Sequence, residues 1–330
     1  VTQHPIISKL KSAWVSVLTG ILISIAGLIW AFHDFRFDNF LQALKGTNYY
    51  YIIAASLLMI FSVFVRAIRW SYLISVEKKV QYNHLVKAEF IGYFGNFILP
   101  LRLGEILRTY IVSREEKLSG TFVFGSIVLE RLLDTASMGI LTIFMIFQFD
   151  LPEEIKGYVH KGVWVVLFSG VSLILILIRL NKIKAANRLS VAIKIFTKSF
   201  ALLRSSLRYK AIALSIGLWL IYWAATHFIQ AAMHLGMSPI GSLIVLILTS
   251  FAGSIPSAPG MIGTYHAAAK YTLMSVIGGY TASQAINFAV LLHAYGYILF
   301  TLIGGYYFIQ SQFRAAALKN VLQYKVMNEN

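Results

Sequence analysis

The 330-residue chain contains no cysteine, so it has neither a disulfide framework nor thiol chemistry. Charge is scarce too. Only 13% of residues are charged, whereas 58% are hydrophobic, and the mean hydropathy is +0.71. A soluble domain of this length cannot hide that much apolar surface, which excludes the ordinary globular classes. Acid is the scarcer sign, with 13 Asp and Glu against 29 Lys and Arg and a net charge of +16. In so apolar a chain the excess reads as cytoplasmic loops facing anionic lipid, not as a nucleic-acid surface. Catalytic signatures are missing as well. There is no H-E-x-x-H metal motif, no G-x-S-x-G elbow and no P-loop, so no metal, cofactor, enzymatic step or direct use of ATP is expected.

What the chain does have is long apolar runs, each near the roughly 20 residues that a crossing helix needs. Six spans are expected: Ala13–Phe32, Tyr49–Tyr72, Thr121–Phe149, Gly162–Leu180, Ala211–Leu235 and Ala285–Ile309. The first is too long for a typical signal-peptide core and is read as an uncleaved span. Two further apolar segments, His84–Val112 and Pro239–Gly278, contain helix breakers and read as hairpins that dip into the membrane and return. The chain is therefore expected to be an all-α polytopic membrane protein. Tryptophans and tyrosines near span ends (Trp14, Trp30, Tyr49, Tyr50 and Trp70) fit an interfacial belt. The glycines of "LIGGYYF" fit helix contact.

Loop charge sets the orientation. The loop after the first span cancels, with Asp34, Arg36, Asp38 and Lys45. The next reads as basic, with Arg66, Arg69, Lys78, Lys79 and Lys87 against Glu77 and Glu89. The loop at Asp150, Glu153 and Glu154 has no basic excess, and Asn181–Lys210 has eight basic residues without an acid. Both termini are then cytoplasmic. The whole chain, 1–330, forms one transmembrane domain of two halves, 13–149 and 162–309, with the same plan in opposite orientation. This is the inverted-repeat logic of many transporters. Pro100-x-x-x-Gly104 and Pro259-x-x-x-Gly263 fall at corresponding places in the two halves. Within 181–210, Leu189, Ile193, Phe196, Phe200, Leu203 and Leu207 recur at helical steps, which predicts an amphipathic linker on the cytoplasmic leaflet.

The two broken segments carry the candidate site. In "GNFILPLRLGEILRTY", Pro100 and Gly104 break the helix, and a second short helix begins near the midplane. Irregular backbone is tolerated there where it lines a wet cavity. The new helix's free N–H groups and positive dipole end suit a phosphate. Arg102, Glu105 and Arg108 follow, and Glu130, Arg131 and Asp134 lie within the next span on one helix face. Charges at that depth normally face protein or water, so the six either pair with one another or line a substrate path. In "SIPSAPGMIGTYHAAAKY", Ser257 precedes Pro259 and Gly260 as a helix start would. After Gly263, the side chains of Thr264, Tyr265 and His266 are expected to face the cavity. His227, His234 and His293 read as hydrogen-bonded packing residues.

"GNFILPLRLGEILRTY", "ERLLDTASMGIL" and "PSAPGMIGTYHAAA", in that order, resemble the lysylphosphatidylglycerol synthase transmembrane-region family, also called flippase-like domain proteins. The resemblance covers about residues 13 to 310. It implies an integral inner-membrane protein related to a lipid-flipping domain. Its motif positions here are Asn96, Pro100, Arg102, Gly104, Glu105 and Arg108, then Glu130, Arg131 and Asp134, then Pro259, Gly260, Gly263 and Thr264. The family's third motif often has an acid where this chain has His266, so no carboxylate role carries over to that position. No soluble aminoacyl-transfer domain follows the last span, so synthase activity is not expected.

The expected function is a lipid translocator, moving an anionic or aminoacylated phospholipid or a lipid-linked headgroup. The partners are that lipid, anionic lipid at the cytoplasmic face and a second copy of the chain. Rival readings are a secondary transporter of a small anion, whose cavity would be closed to lipid, and an intramembrane enzyme, which needs a nucleophile or metal set. A third is a non-catalytic partner in envelope lipid synthesis, which would tolerate loss of Arg102 and Glu105.

Overall fold

The computed structural model describes residues 22–99, 103–149, 188–254 and 257–328, together with Gly157 and Arg179. Among them every regular element is helical. The chain begins with α1 (Leu22–Phe32), α2 (Phe37–Lys45) and α3 (Tyr49–Ile74). An antiparallel pair follows, α4 (Tyr82–Ile98) and α5 (Gly104–Glu116), and then α6 (Gly120–Gln148). After the undescribed stretch come α7 (Arg188–Lys198), a 3-10 turn (Ser199–Arg204) and α8 (Leu207–Ala232). A second broken pair comprises α9 (Pro239–Ser254), a 3-10 turn (Pro259–Met261) and α10 (Thr264–Tyr271). α10 runs on into a π turn (Thr272–Ile277), and α11 (Ala282–Asn328) ends the described chain.

Among the described residues, three stretches are long and apolar enough to cross a membrane: Tyr49–Ile74, Leu207–Ala232 and Ala282–Ser311. At 26 residues, α3 extends about 39 Å, more than the roughly 30 Å of bilayer hydrocarbon. α6 is longer still at 29 residues, but Glu130, Arg131 and Asp134 interrupt its apolar run. The expected span 13–32 is described only from Leu22 onward, and 162–180 lies outside the described residues.

Local chemistry sets the helix ends. Asn48 accepts a hydrogen bond from the Tyr50 N–H at 3.1 Å and so caps α3. α5 stops where Lys117 turns left-handed at φ 56°. The outer ends of α4 and α5 are tied together, with His84 2.7 Å from Glu116 and Lys78 3.1 Å from the same carboxylate. Their inner ends approach so closely that only glycine fits. A Cβ on Gly104 would stand 2.0 Å from the Gly92 carbonyl oxygen.

Three sequence expectations change here. Arg66 and Arg69 are not loop residues but lie buried within α3, and Glu89 is buried in α4. Trp70 belongs to no interfacial belt. It is fully buried, donates to Ser126 Oγ at 2.9 Å and lies beneath the Arg108 guanidinium at 4.2 Å. His234 lies past the end of α8, in a turn at φ 52°. The linker helix α7 packs on α6, where a Cβ on Gly125 would strike Ser199 Oγ and the Phe196 carbonyl. The glycine pair of α11 does serve helix contact, since Gly304 abuts the Phe90 carbonyl and the Phe94 side chain.

Candidate functional site

Four helices converge on one charged cluster. α3 supplies Arg66 and Arg69, α4 Glu89, α5 Glu105 and Arg108, and α6 Glu130, Arg131 and Asp134. Gly92 makes room for Arg108: a Cβ there would lie 2.4 Å from the Arg108 Cδ. Glu130, fully buried, is the hub. It accepts from Arg66, from Arg108 at 3.0 Å and from Arg131 at 3.3 Å, and Arg69 approaches to 3.4 Å. Glu89 accepts from Arg66 at 3.0 Å and also from Arg108. Arg69 donates to Asp134 and, at 2.8 Å, to Ser215 of α8. Glu105 bridges Arg108 at 3.2 Å and Arg131 at 3.3 Å. Every one of these guanidinium groups is therefore held by carboxylates, as buried charge requires.

Arg131 differs from the rest. Its side chain keeps 43% of its surface accessible, against 5% for Arg66, 2% for Arg108 and none for Arg69. It lines a cavity of about 380 Å³ together with Arg66 and Asp134. The opposite wall comes from the second half of the chain: Trp219 and Tyr222 of α8, Thr249 of α9, Tyr265 of α10, and His293 and Tyr295 of α11. The two chain breaks meet beside it. The Phe97 carbonyl lies 3.4 Å from where a Gly260 Cβ would stand, and the Phe97 and Tyr297 rings are 4.8 Å apart.

Glycine geometry shapes the second break. Gly260 has φ 67°, and its carbonyl accepts from His293 Nε2 at 2.8 Å. Gly263, at φ 95°, starts α10 and sits against α1, where a Cβ would be 2.1 Å from the Ser24 carbonyl oxygen. The expected cap at Ser257 is replaced by one from another helix: Ser24 Oγ accepts from the Ala258 N–H at 2.6 Å. Pro259 opens only a three-residue 3-10 turn, because left-handed Gly260 and Gly263 stop it from continuing into α10.

Of the site residues read from sequence, Arg131, Asp134 and Tyr265 line the cavity. Glu105, Arg108 and Glu130 stand behind them in the cluster. Asn96 uses its carboxamide oxygen to accept from the Gly104 N–H at 3.0 Å, so it caps α5 itself. Thr264 is buried and donates to the Met261 carbonyl at 3.2 Å, and His266 is buried between the Phe32 and His293 rings. Pro100 and Arg102 lie outside the described residues. Sequence reasoning missed Arg66, Arg69 and Glu89 as site residues. The available signal was position, since the predicted span Tyr49–Tyr72 already contained both arginines three residues apart.

The model of the family described as the lysylphosphatidylglycerol synthase TM region matches residues 17–304. The chain belongs to that family. Within it, the chain is similar to two proteins of Methanocaldococcus jannaschii. Identity to UPF0104 membrane protein MJ1078 is 25% over 219 residues, covering 65% of this chain and 93% of that relative. Identity to UPF0104 membrane protein MJ1595 is 29% over 148 residues, covering 43% of each chain. The stretch that matches the family model contains the whole charged cluster and both chain breaks.

Proposed function

We propose that this family member translocates a phosphate-bearing lipid headgroup across the cell's inner membrane without chemical change. The observation that carries the reading is the cavity, with a charged edge from the first half and an aromatic wall from the second. A headgroup would slide between the halves while its acyl chains stay in lipid. Its phosphate would meet the accessible fork of Arg131, displacing a carboxylate.

The proposed architecture is an inverted repeat with both termini cytoplasmic and two re-entrant hairpins. α3, α4–α5 and α6 form one unit, and α8, α9–α10 and α11 the other. Several packing relations support it. The proposed counterparts α3 and α8 lie side by side, α4 packs on α11 as α9 packs on α6, and α5 packs on α6 as α10 packs on α11. Removing Arg66, Arg69 and Glu89 from the loop count leaves the orientation unchanged. Lys78, Lys79, Arg114, Lys117 and Lys198 still outnumber Glu77, Glu115 and Glu116 at that end.

The test uses proteoliposomes with acyl-labelled phospholipid in one leaflet, read by the label's appearance in the other. The intact chain is expected to exceed empty vesicles, and a Glu105→Ala/Arg131→Ala variant that remains monodisperse is expected to fall to their level. Equal rates in all three would remove the transport reading.

A further inference from the structure

Resting on that reading, we propose that the cavity takes a headgroup of no net charge, one that pairs a phosphate with an ammonium. Among the described residues the cluster contains four guanidinium groups and four carboxylates, and each guanidinium already meets at least two carboxylates. A bare anion at Arg131 would leave that balance negative, in surroundings that screen poorly. A phosphate that brings its own cation does not. When the phosphate takes the Arg131 fork, Asp134, which lines the same cavity 3.6 Å from that fork, loses one of its three arginine partners. Arg69 still holds its Oδ1, and its Oδ2, left with only Arg66 at 3.7 Å, can accept the ammonium.

The rest of the wall suits this division. Tyr93, Tyr222, Tyr265 and Trp219 all line the cavity. Aromatic ring faces attract cations, as the Arg66 guanidinium 5.5 Å above the Tyr93 ring illustrates. Trp219 adds a donor. Its buried indole Nε1 has no hydrogen-bond partner among the described residues. An indole N–H only donates, and a turn of the ring on binding would present it to a phosphate oxygen in the cavity that Trp219 lines. The cavity's 380 Å³ falls within the roughly 300–1,000 Å³ typical of small-molecule pockets.

The experiment separates ligand class from transport. The purified chain in micelles is titrated calorimetrically at neutral pH with glycerophosphoethanolamine, whose phosphodiester and ammonium cancel, and with dimethyl phosphate and ethanolamine as its two charged halves. Glycerophosphoethanolamine is expected to bind at least about tenfold tighter than either half. Trp219→Phe, which keeps an aromatic ring but loses the N–H, should weaken it several-fold, and Asp134→Asn should shift preference toward dimethyl phosphate. If dimethyl phosphate or ethanolamine matches glycerophosphoethanolamine, or none of the three binds, the proposal falls. In vesicles, acyl-labelled phosphatidylethanolamine is expected to cross faster than phosphatidylglycerol, and soluble glycerophosphoethanolamine should compete. Equal crossing of both lipids overturns the ligand class and leaves translocation standing. If neither lipid crosses while the soluble preference persists, translocation falls and the ligand class stands.

Discussion

Replacing Glu130 with glutamine tests whether the cluster is held by charge balance. The change preserves shape and one carbonyl acceptor but leaves four guanidinium groups, three of them buried, facing three carboxylates. Glu130 lies within 3.4 Å of all four arginines. Each such contact has a gross attraction of about 4 kcal/mol at an effective dielectric near 20. Desolvation of the ions opposes most of that total. The net cost of removing one partner from a buried ion pair is about 3–5 kcal/mol, which is the expected loss here. Unfolding by a denaturing detergent in mixed micelles, followed by circular dichroism, measures it. Two controls frame the result. Glu77→Gln removes a surface pair, Lys198 to Glu77 at 2.6 Å with side chains 55% and 32% exposed, and is expected to cost less than about 1 kcal/mol. Glu130→Gln/Arg108→Gln restores the balance and should recover part of the loss. If Glu130→Gln costs no more than Glu77→Gln, charge pairing does not hold these four helices together.

Other outcomes follow from single contacts. Gly104→Ala forces a Cβ onto the Gly92 carbonyl and should cost at least about 1–3 kcal/mol by thermal melting. Gly139→Ala on α6, with nothing among the described residues within 4 Å of the added Cβ, should be neutral or stabilising. At the end of α1, a side-chain hydrogen bond from Lys270, with a smaller contribution from His33, holds the Asp34 carboxyl below its ordinary value. A depressed acid stabilises the fold above its unfolded-state value, and that contribution disappears as pH falls through the folded value. The melting-temperature gap between the native chain and Asp34→Asn should therefore be constant near neutrality and close on acidification below about pH 4. Arg131→Lys keeps the charge but loses the planar fork, so lipid crossing in vesicles should fall at least about tenfold while the fold survives.

Some of this was readable from residue order because charge inside an apolar run is costly. Glu105, Arg108, Glu130, Arg131 and Asp134 stood out for that reason, and the structure brings all five together. Arg66, Arg69 and Glu89 did not stand out. They sit near the ends of apolar segments and read as loop charge, although the predicted span to Tyr72 already encloses both arginines and α3 runs only two residues further, to Ile74. Trp70 misled for a related reason. A tryptophan at a run's edge suits a headgroup region equally well, and its partners Ser126 and Arg108 are 56 and 38 residues away in the chain. Proline and glycine marked both breaks, yet the left-handed turns at Gly260 and Gly263 fit only because α1 and α11 pass so close. Such neighbours cannot be inferred from one chain's local order.

The four-to-four tally has an electrical consequence. Moving one uncompensated elementary charge through a 100 mV membrane potential involves about 2.3 kcal/mol of work. A cluster that sums to zero can shift as a body through that field with almost none. Movement of this cluster of described residues would then contribute almost no gating current of its own.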